Sequence, residues 1–471
     1  MRSRERSGAA SRVEPGVIGE ALHAAAHGGM DVILRGGTVV TMDATRRVLS
    51  ADVHVRGNTI VQLGRVRAPR AAALVLDARG CAVMPGFVQT HVHLCQALFR
   101  GMADDLPLLE WLKQRIWPLE AAHDERSLYA SARLGLAEML RAGTTTILDM
   151  GTVNHHDAVF TAIAESGMRA FSGKAMMDTG VGVPRGLRET TKQSLAESDR
   201  LRARWHGAED GRLGYAYAPR FILSCTEKLL RGAAAAAHAT PGVLLHSHAA
   251  EHADERKAVK DALGKDDVSA LAEYGVTGPR TVLAHGVQLR PAEMRTIARA
   301  GTRFAHCPSA NLKLASGIAD VVAMRDAGML VGIGADGAPC NNRMDPFTEL
   351  RQAALLAKVK RCDAGALKAE DALAMATIDG ARVLGIDALT GSIELGKRAD
   401  LAVVRLDALH AEPGGGAIAR IVYACTASDV RHVLVDGRVV VADGELRTLD
   451  ADTVRSDARR EGERVRRRAK L

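Results

Sequence analysis

The apolar positions of this chain follow two patterns. Over residues 31–82 they form short β-like runs: Asp31–Leu34, Gly37–Met42, Ala51–Arg56, Thr59–Leu63 and Ala73–Leu76. Gly36-Gly37 and Gly57-Asn58 supply turns between them. Similar runs return at Leu401–Arg405 and Arg431–Val441. Between these β-rich ends, apolar runs alternate with stretches long enough for a helix, such as Ser127–Ala142, Ser194–Trp205, Pro291–Ala300 and Ile318–Gly328. Alternation of strand and helix over roughly 300 residues predicts an α/β fold, a (β/α)8 TIM-like barrel. The two ends predict one small β-sandwich domain built from both. The expected division is a flexible basic extension at 1–29, a composite sandwich from 30–83 and 393–450, the barrel at 84–392, and a charged helix or tail at 451–471.

Several barrel runs end in a residue that can bind a metal or move a proton. Val83-Met-Pro-Gly-Phe-Val-Gln-Thr-His-Val-His93 closes on His91 and His93. Side chains two apart on a strand share a face, so both imidazoles can reach one ion. Val243–His248 ends in a second pair, with Glu251 just beyond it. His248, at the strand mouth, suits a ligand. His246 lies deeper and reads as a satisfied core histidine. Thr281–His285 and Val331–Asp336 supply a further histidine and an aspartate. His306 reads as loop support. In a (β/α)8 barrel, active sites sit at the C-terminal strand ends, so this ordered series predicts one site.

Composition narrows the class. No apolar run approaches the roughly 20 residues of a membrane span. Seven cysteines, odd in number and without a Cys-x-x-Cys pair, suggest a reduced, cytoplasmic protein; Cys95, Cys307 and Cys340 read as apolar wall. The net charge of +8 is concentrated in the tails. Residues 1–12 carry four Arg and one Glu, and residues 451–471 carry seven Arg, one Lys and four acids. The body is left near neutral, without the footprint of a nucleic-acid partner. The first 29 residues lack the apolar segment of a signal peptide, and Met30 is an alternative start.

These motifs resemble the amidohydrolase superfamily, in its cytosine-deaminase-like and chlorohydrolase-like branch, from Met30 to about Asp450. They are the Pro-Gly-Phe-x-x-x-His-x-His opening, His-x-x-Glu, Ala-His, Ser309-Ala-Asn-Leu-Lys-Leu314, Gly334-Ala-Asp336 and the closing Gly391-Ser-Ile-Glu-Leu-Gly-Lys-Arg-Ala-Asp-Leu401. The resemblance implies a metal-dependent aminohydrolase with one divalent metal held by His91, His93, His248 and Asp336. Zn²⁺ is favoured and Fe²⁺ is the alternative. No lysine matches the carboxylated lysine of binuclear members. Activated water would attack a ring carbon bearing an amino group. Glu251 would shuttle the proton, and His285 and Asp336 would accept the proton of the water.

For substrate, Arg100–Leu112 and Asp336–Asn342 resemble deaminases of adenosine-type compounds, with 5′-deoxyadenosine favoured over methylthioadenosine and S-adenosylhomocysteine. Glu120 would grip ribose hydroxyls, and Trp117 is a candidate wall. Gln96 and Arg220 resemble instead the purine contacts of guanine deaminases. Homocysteine-binding members carry His in place of Arg220 and Arg in place of Lys174, which argues against that tail. Guanine deaminase, a triazine or other aminoheterocycle hydrolase, and a non-catalytic barrel scaffold are the alternatives. The expected partner is a small purine nucleoside or base, with no nucleic acid and no membrane, in a homo-oligomer.

Overall fold

The computed structural model describes residues 22, 24–26, 30–67 and 73–471. Five strands come first: β1 (Asp31–Val40), β2 (Val48–Arg56), β3 (Thr59–Gly64), β4 (Ala73–Asp77) and β5 (Cys81–Pro85). The barrel follows with β6 (Phe87–Val92), β7 (Thr144–Met150), β8 (Arg169–Gly173), the short β9 (Ala175–Met176), β10 (Leu213–Pro219), β11 (Leu244–Ala249), β12 (Thr281–His285), β13 (Arg303–His306) and β14 (Val331–Ile333). The chain closes with β15 (Leu401–Arg405), β16 (Val430–Val435), β17 (Arg438–Ala442) and β18 (Glu445–Leu446).

β6, β7, β8 and β10 to β14 are all parallel and close on themselves through β14 and β6, and β9 extends the edge beside β10. Helices fill the connections, so each strand is buried on both faces, as parallel sheets require. The apolar runs supply that burial: β6, β7 and β12 are buried at every position. The closure is tight. A Cβ on Gly334 would meet the His91 backbone oxygen at 2.5 Å, so only glycine lets the last strand approach the first this closely. Asp336 N then donates to His91 O at 3.0 Å.

The second sheet joins both chain ends, in the order β18-β17-β16-β15-β5-β1-β2-β3, with β4 on β1. Two details differ from the sequence reading. Gly36-Gly37 does not end a strand. Asp31–Val40 is one strand with a bulge between Leu34 and Gly37, because the β2 partner continues past it. Arg431–Val441 is not one run but a hairpin that turns at Asp436-Gly437, both at positive φ. That dipeptide is a strong two-residue turn signal. A buried guanidinium ties sheet to barrel: Arg169, at the start of β8, pairs with Asp400 at 2.6 Å and with Asp436 at 3.0 Å.

The two termini are less independent than expected. Most of the 1–29 extension lies outside the described residues, but Leu22 and Ala24–Ala26 are helical. Leu22 and Ala25 join the core of the second sheet. The helix Ala451–Ala469 buries Val454, Ala458, Glu461 and Val465, a single stripe at helical spacing. It packs on the helix Glu125–Arg141, leaving its arginines outward. No helix of the described residues is long and apolar enough to cross a membrane.

Candidate active site

The C-terminal ends of β6, β11, β12 and β14 converge. His91 Nε2 lies 3.3 Å from Asp336 Oδ1, His93 Nε2 lies 3.4 Å from the same oxygen, and His93 Nε2 lies 3.3 Å from His248 Nε2. His285 Nε2 stands 3.4 Å from Glu251 Oε2 and 3.9 Å from Asp336 Oδ2. Backbone strain marks the same ends. Ala250, His285 and Asp336 have φ of +52°, +78° and +61°, a region non-glycine residues enter at a cost and that concentrates at functional sites.

The donor chemistry fits a cation. His93 Nδ1 donates to Met150 O at 2.7 Å and His248 Nδ1 to Arg220 O at 2.6 Å. A carbonyl only accepts, so each ring carries its proton on Nδ1 and presents a bare Nε2. Two bare nitrogens 3.3 Å apart repel unless a positive ion lies between them. His91 Nε2 and His285 Nε2 are buried without a hydrogen-bond partner. Donor atoms of His91, His93 and Asp336 lie within 4.8 Å of one another, as do those of His91, His248 and His285. Burial keeps these imidazoles neutral, with His91 pushed down to about 4. Burial, then the Glu255 and Asp336 carboxylates, push Glu251 well above the ordinary value.

Loops beyond the strands brace the site. Asn311 Oδ1 accepts from His285 Nδ1 at 2.9 Å. Ser309 and Asn341 both donate to the buried Glu349, and Lys313 joins Asp104 to Pro339 O and Asn342 Oδ1. The Ser-x-Asn-x-Lys spacing thus has three separate anchoring duties. His306 is buried beyond the metal-facing group, with Nδ1 unpartnered.

The cavity over these groups is lined by His93, Leu108, Trp111, Leu112, Arg220, Phe221, His248, Glu251, His285 and Asp336. It holds about 20 Å³, room for about one water. Of the expected substrate residues only Arg220 lines it. Glu120 stands behind, with both oxygens held by Arg220 at 2.5 and 3.1 Å and one also by Gln96 Nε2 at 2.9 Å. Trp117 is buried in a core cluster with Leu119 and Met150. Lys174 is fully buried and paired with Glu189 and Ser194, apart from the cavity. Trp111, Leu108 and Leu112 were given no role from the sequence. Their i, i+3, i+4 spacing, one apolar helix face, was the available signal. They sit where the short helix Leu108–Trp111 passes into a π turn, Leu112–Ile116, ahead of Pro118. Such turns are frequent at functional sites.

A closed parallel barrel whose strand ends bring together four imidazoles, a strained aspartate and a buried glutamate is the scaffold of a metal-dependent hydrolase. The chain belongs to the amidohydrolase family, which it matches over residues 82–440. It is 38% identical over 421 residues to a 5′-deoxyadenosine deaminase of Methanothermobacter thermautotrophicus, covering 89% of this chain and 95% of that one. It is 40% identical over 428 residues to a 5-methylthioadenosine/S-adenosylhomocysteine deaminase of Halobacterium salinarum, covering 90% and 95%. Among solved structures, an adenosine deaminase from Xanthomonas campestris with bound zinc superposes with a TM-score of 0.87 at 32% identity, covering 93% and 99%.

Proposed function

We propose that this protein is a Zn²⁺-dependent aminohydrolase that deaminates an adenosine-type nucleoside, with 5′-deoxyadenosine its favoured substrate. The observation that carries the reading is the convergence of the ring nitrogens of His91, His93 and His248 with the Asp336 carboxylate, beside the buried pair Glu251 and His285. Three imidazoles and a carboxylate suit zinc. When bound, such an ion brings the ionisation of a water close to neutral pH.

The remaining chemistry belongs to the side chains. Asp336 turns Oδ1 toward His91 and His93 and leaves Oδ2 toward His285, so this pair accepts the proton of the attacking water. The water oxygen bonds to the ring carbon bearing the amino group. Glu251, carrying its proton, delivers it to the adjacent ring nitrogen. The proton held by Asp336 and His285 then goes to the amine, the hydroxyl proton passes to Glu251, the C–N bond breaks, and ammonia leaves a lactam. Leu108, Trp111, Leu112 and Phe221 exclude bulk water from these transfers.

Substrate preference follows from charge. A homocysteine tail needs a free cation for its carboxylate. Lys174 is already neutralised by Glu189, and the Arg220 guanidinium by Glu120. That supports a small neutral 5′ group. The relative named for 5′-deoxyadenosine is consistent with it. One observation favours guanine as the second reading: Gln96 and Arg220 meet on the same Glu120 oxygen, so both expected purine contacts are in one place.

An ammonia-release assay across 5′-deoxyadenosine, methylthioadenosine, S-adenosylhomocysteine, adenosine, guanine, cytosine and a triazine tests the reading. The 5′-deoxynucleoside should give the highest kcat/KM. Good turnover of guanine with none of the nucleosides would move the function to guanine deamination. Purified protein with less than about 0.2 metal per chain would point to a scaffold, since a catalytic zinc site retains its ion.

A further inference from the structure

The ring that holds His91 is itself a histidine. His93 and His248 donate Nδ1–H to carbonyls, but His91 Nδ1 lies 2.7 Å from His246 Nε2. A bond between two imidazoles has no fixed direction, because either nitrogen can carry the proton. If His246 were the donor, His91 would hold its own proton on Nε2, where it would point at the donor set and block a metal.

The other nitrogen of His246 decides the direction. His246 Nδ1 lies 2.7 Å from Val282 O. A carbonyl cannot donate, so His246 Nδ1 carries the proton. In a neutral ring His246 Nε2 is then the acceptor, and His91 Nδ1 must be the donor. The reverse arrangement would set a lone pair of His246 against the lone pairs of Val282 O. An imidazolium at His246 would avoid that clash, but both rings are fully buried, and an ion there is costly without a carboxylate partner. His91 Nε2 is left bare and unpartnered, 3.3 Å from Asp336 Oδ1.

The fold builds this relay from strand register. His246 and His248 share one face of β11, with His246 one step deeper. His246 pairs with Val282 across to β12, which brings that carbonyl beside its ring. His91 reaches it from β6, and the centroids of the two rings are 4.9 Å apart.

We infer that His246 is a positioning residue, which fixes the tautomer and orientation of His91 through the chain Val282 O, His246, His91 and so sets the donor that faces the metal. It touches neither metal nor substrate. This rests on the metal reading proposed above, and the test separates the two.

The test is chelator competition on zinc-loaded wild type, His246→Leu and His246→Gln. Leucine removes the acceptor for His91 Nδ1, and zinc affinity should fall by about 10–100-fold, the usual cost of removing a partner that orients a ligand. Glutamine keeps an amide oxygen near the same place and should stay close to wild type. If wild type itself holds no zinc, the metal reading fails. If wild type holds zinc and the folded leucine variant holds it equally well, the relay fails. An equal loss in the leucine and glutamine variants also overturns it.

A spectroscopic measurement on the zinc-loaded wild type covers the case in which the variants do not fold. Nitrogen-15 NMR should show the shared proton covalently on His91 Nδ1, with scalar coupling across the hydrogen bond to His246 Nε2. A proton on His246 Nε2, or no coupling between the two rings, refutes the inference.

Discussion

Arg220 grips both carboxylate oxygens of Glu120 across 100 residues of chain, and both side chains are buried. Two parallel N–H···O bonds are the strongest form of this contact. They also commit two charges to each other at the wall of the cavity. Removing one partner leaves the other buried and unpaired. Arg220→Met should therefore cost about 3–5 kcal/mol of stability, read by urea unfolding of the metal-loaded protein. The double variant Arg220→Met/Glu120→Leu should recover most of that loss. A single variant as stable as wild type would mean that water already reaches the pair.

Glu251→Gln keeps the size of the side chain and removes the transferable proton. Metal content should be unchanged while kcat falls by about 10²–10⁴, the usual range for a general acid–base group. A kcat near wild type would take Glu251 out of the proton transfer.

His248→Ala removes a bare Nε2 from the donor set without touching Glu251. Metal analysis after dialysis should show lower occupancy, and added zinc should restore part of the activity. Full occupancy with normal turnover would show that the ion is held without it.

Asp149 gives a pH-dependent prediction outside the donor set. It accepts from Leu94 N at 2.8 Å and from Ser172 Oγ at 2.6 Å, and Ser172 meets His156 Nε2 at 2.9 Å. Burial pushes Asp149 up to about 7 from an ordinary 3.8. The folded state then keeps a proton that the unfolded chain has released. Stability should therefore fall as pH rises from 3.8 to about 7. Asp149→Asn can donate to Ser172 and keeps an acceptor for Leu94 N, so it should lose this slope. By pH 8 it should gain on wild type by on the order of 2 kcal/mol relative to pH 5. Parallel unfolding curves of wild type and variant at both pH values would show that Asp149 ionises normally.

The strand-end histidines could be read from the sequence as sharing a face because each motif is local. A strand of alternating faces carries His91 and His93, or His246 and His248, to one side whatever the rest of the chain does. The barrel was legible for the same reason, through repeated apolar runs with helix-length gaps. Pairings that depend on closure were not legible. Nothing near Glu120 announces Arg220, and nothing near His246 announces that its partner is His91. Lys174 was matched by position to a tail-binding residue, but its own neighbour Glu189 had already claimed the charge. The Leu34/Gly37 bulge was hidden because glycine pairs mark turns and bulges alike.

The cavity of about 20 Å³ under Leu108, Trp111 and Leu112 sets the order of events in a turnover. A purine nucleoside is far larger than that space, so Leu108, Trp111 and Leu112 must shift before it can enter. If that shift is slower than the proton transfers, kcat reports the rearrangement rather than the reactivity of any group in the site.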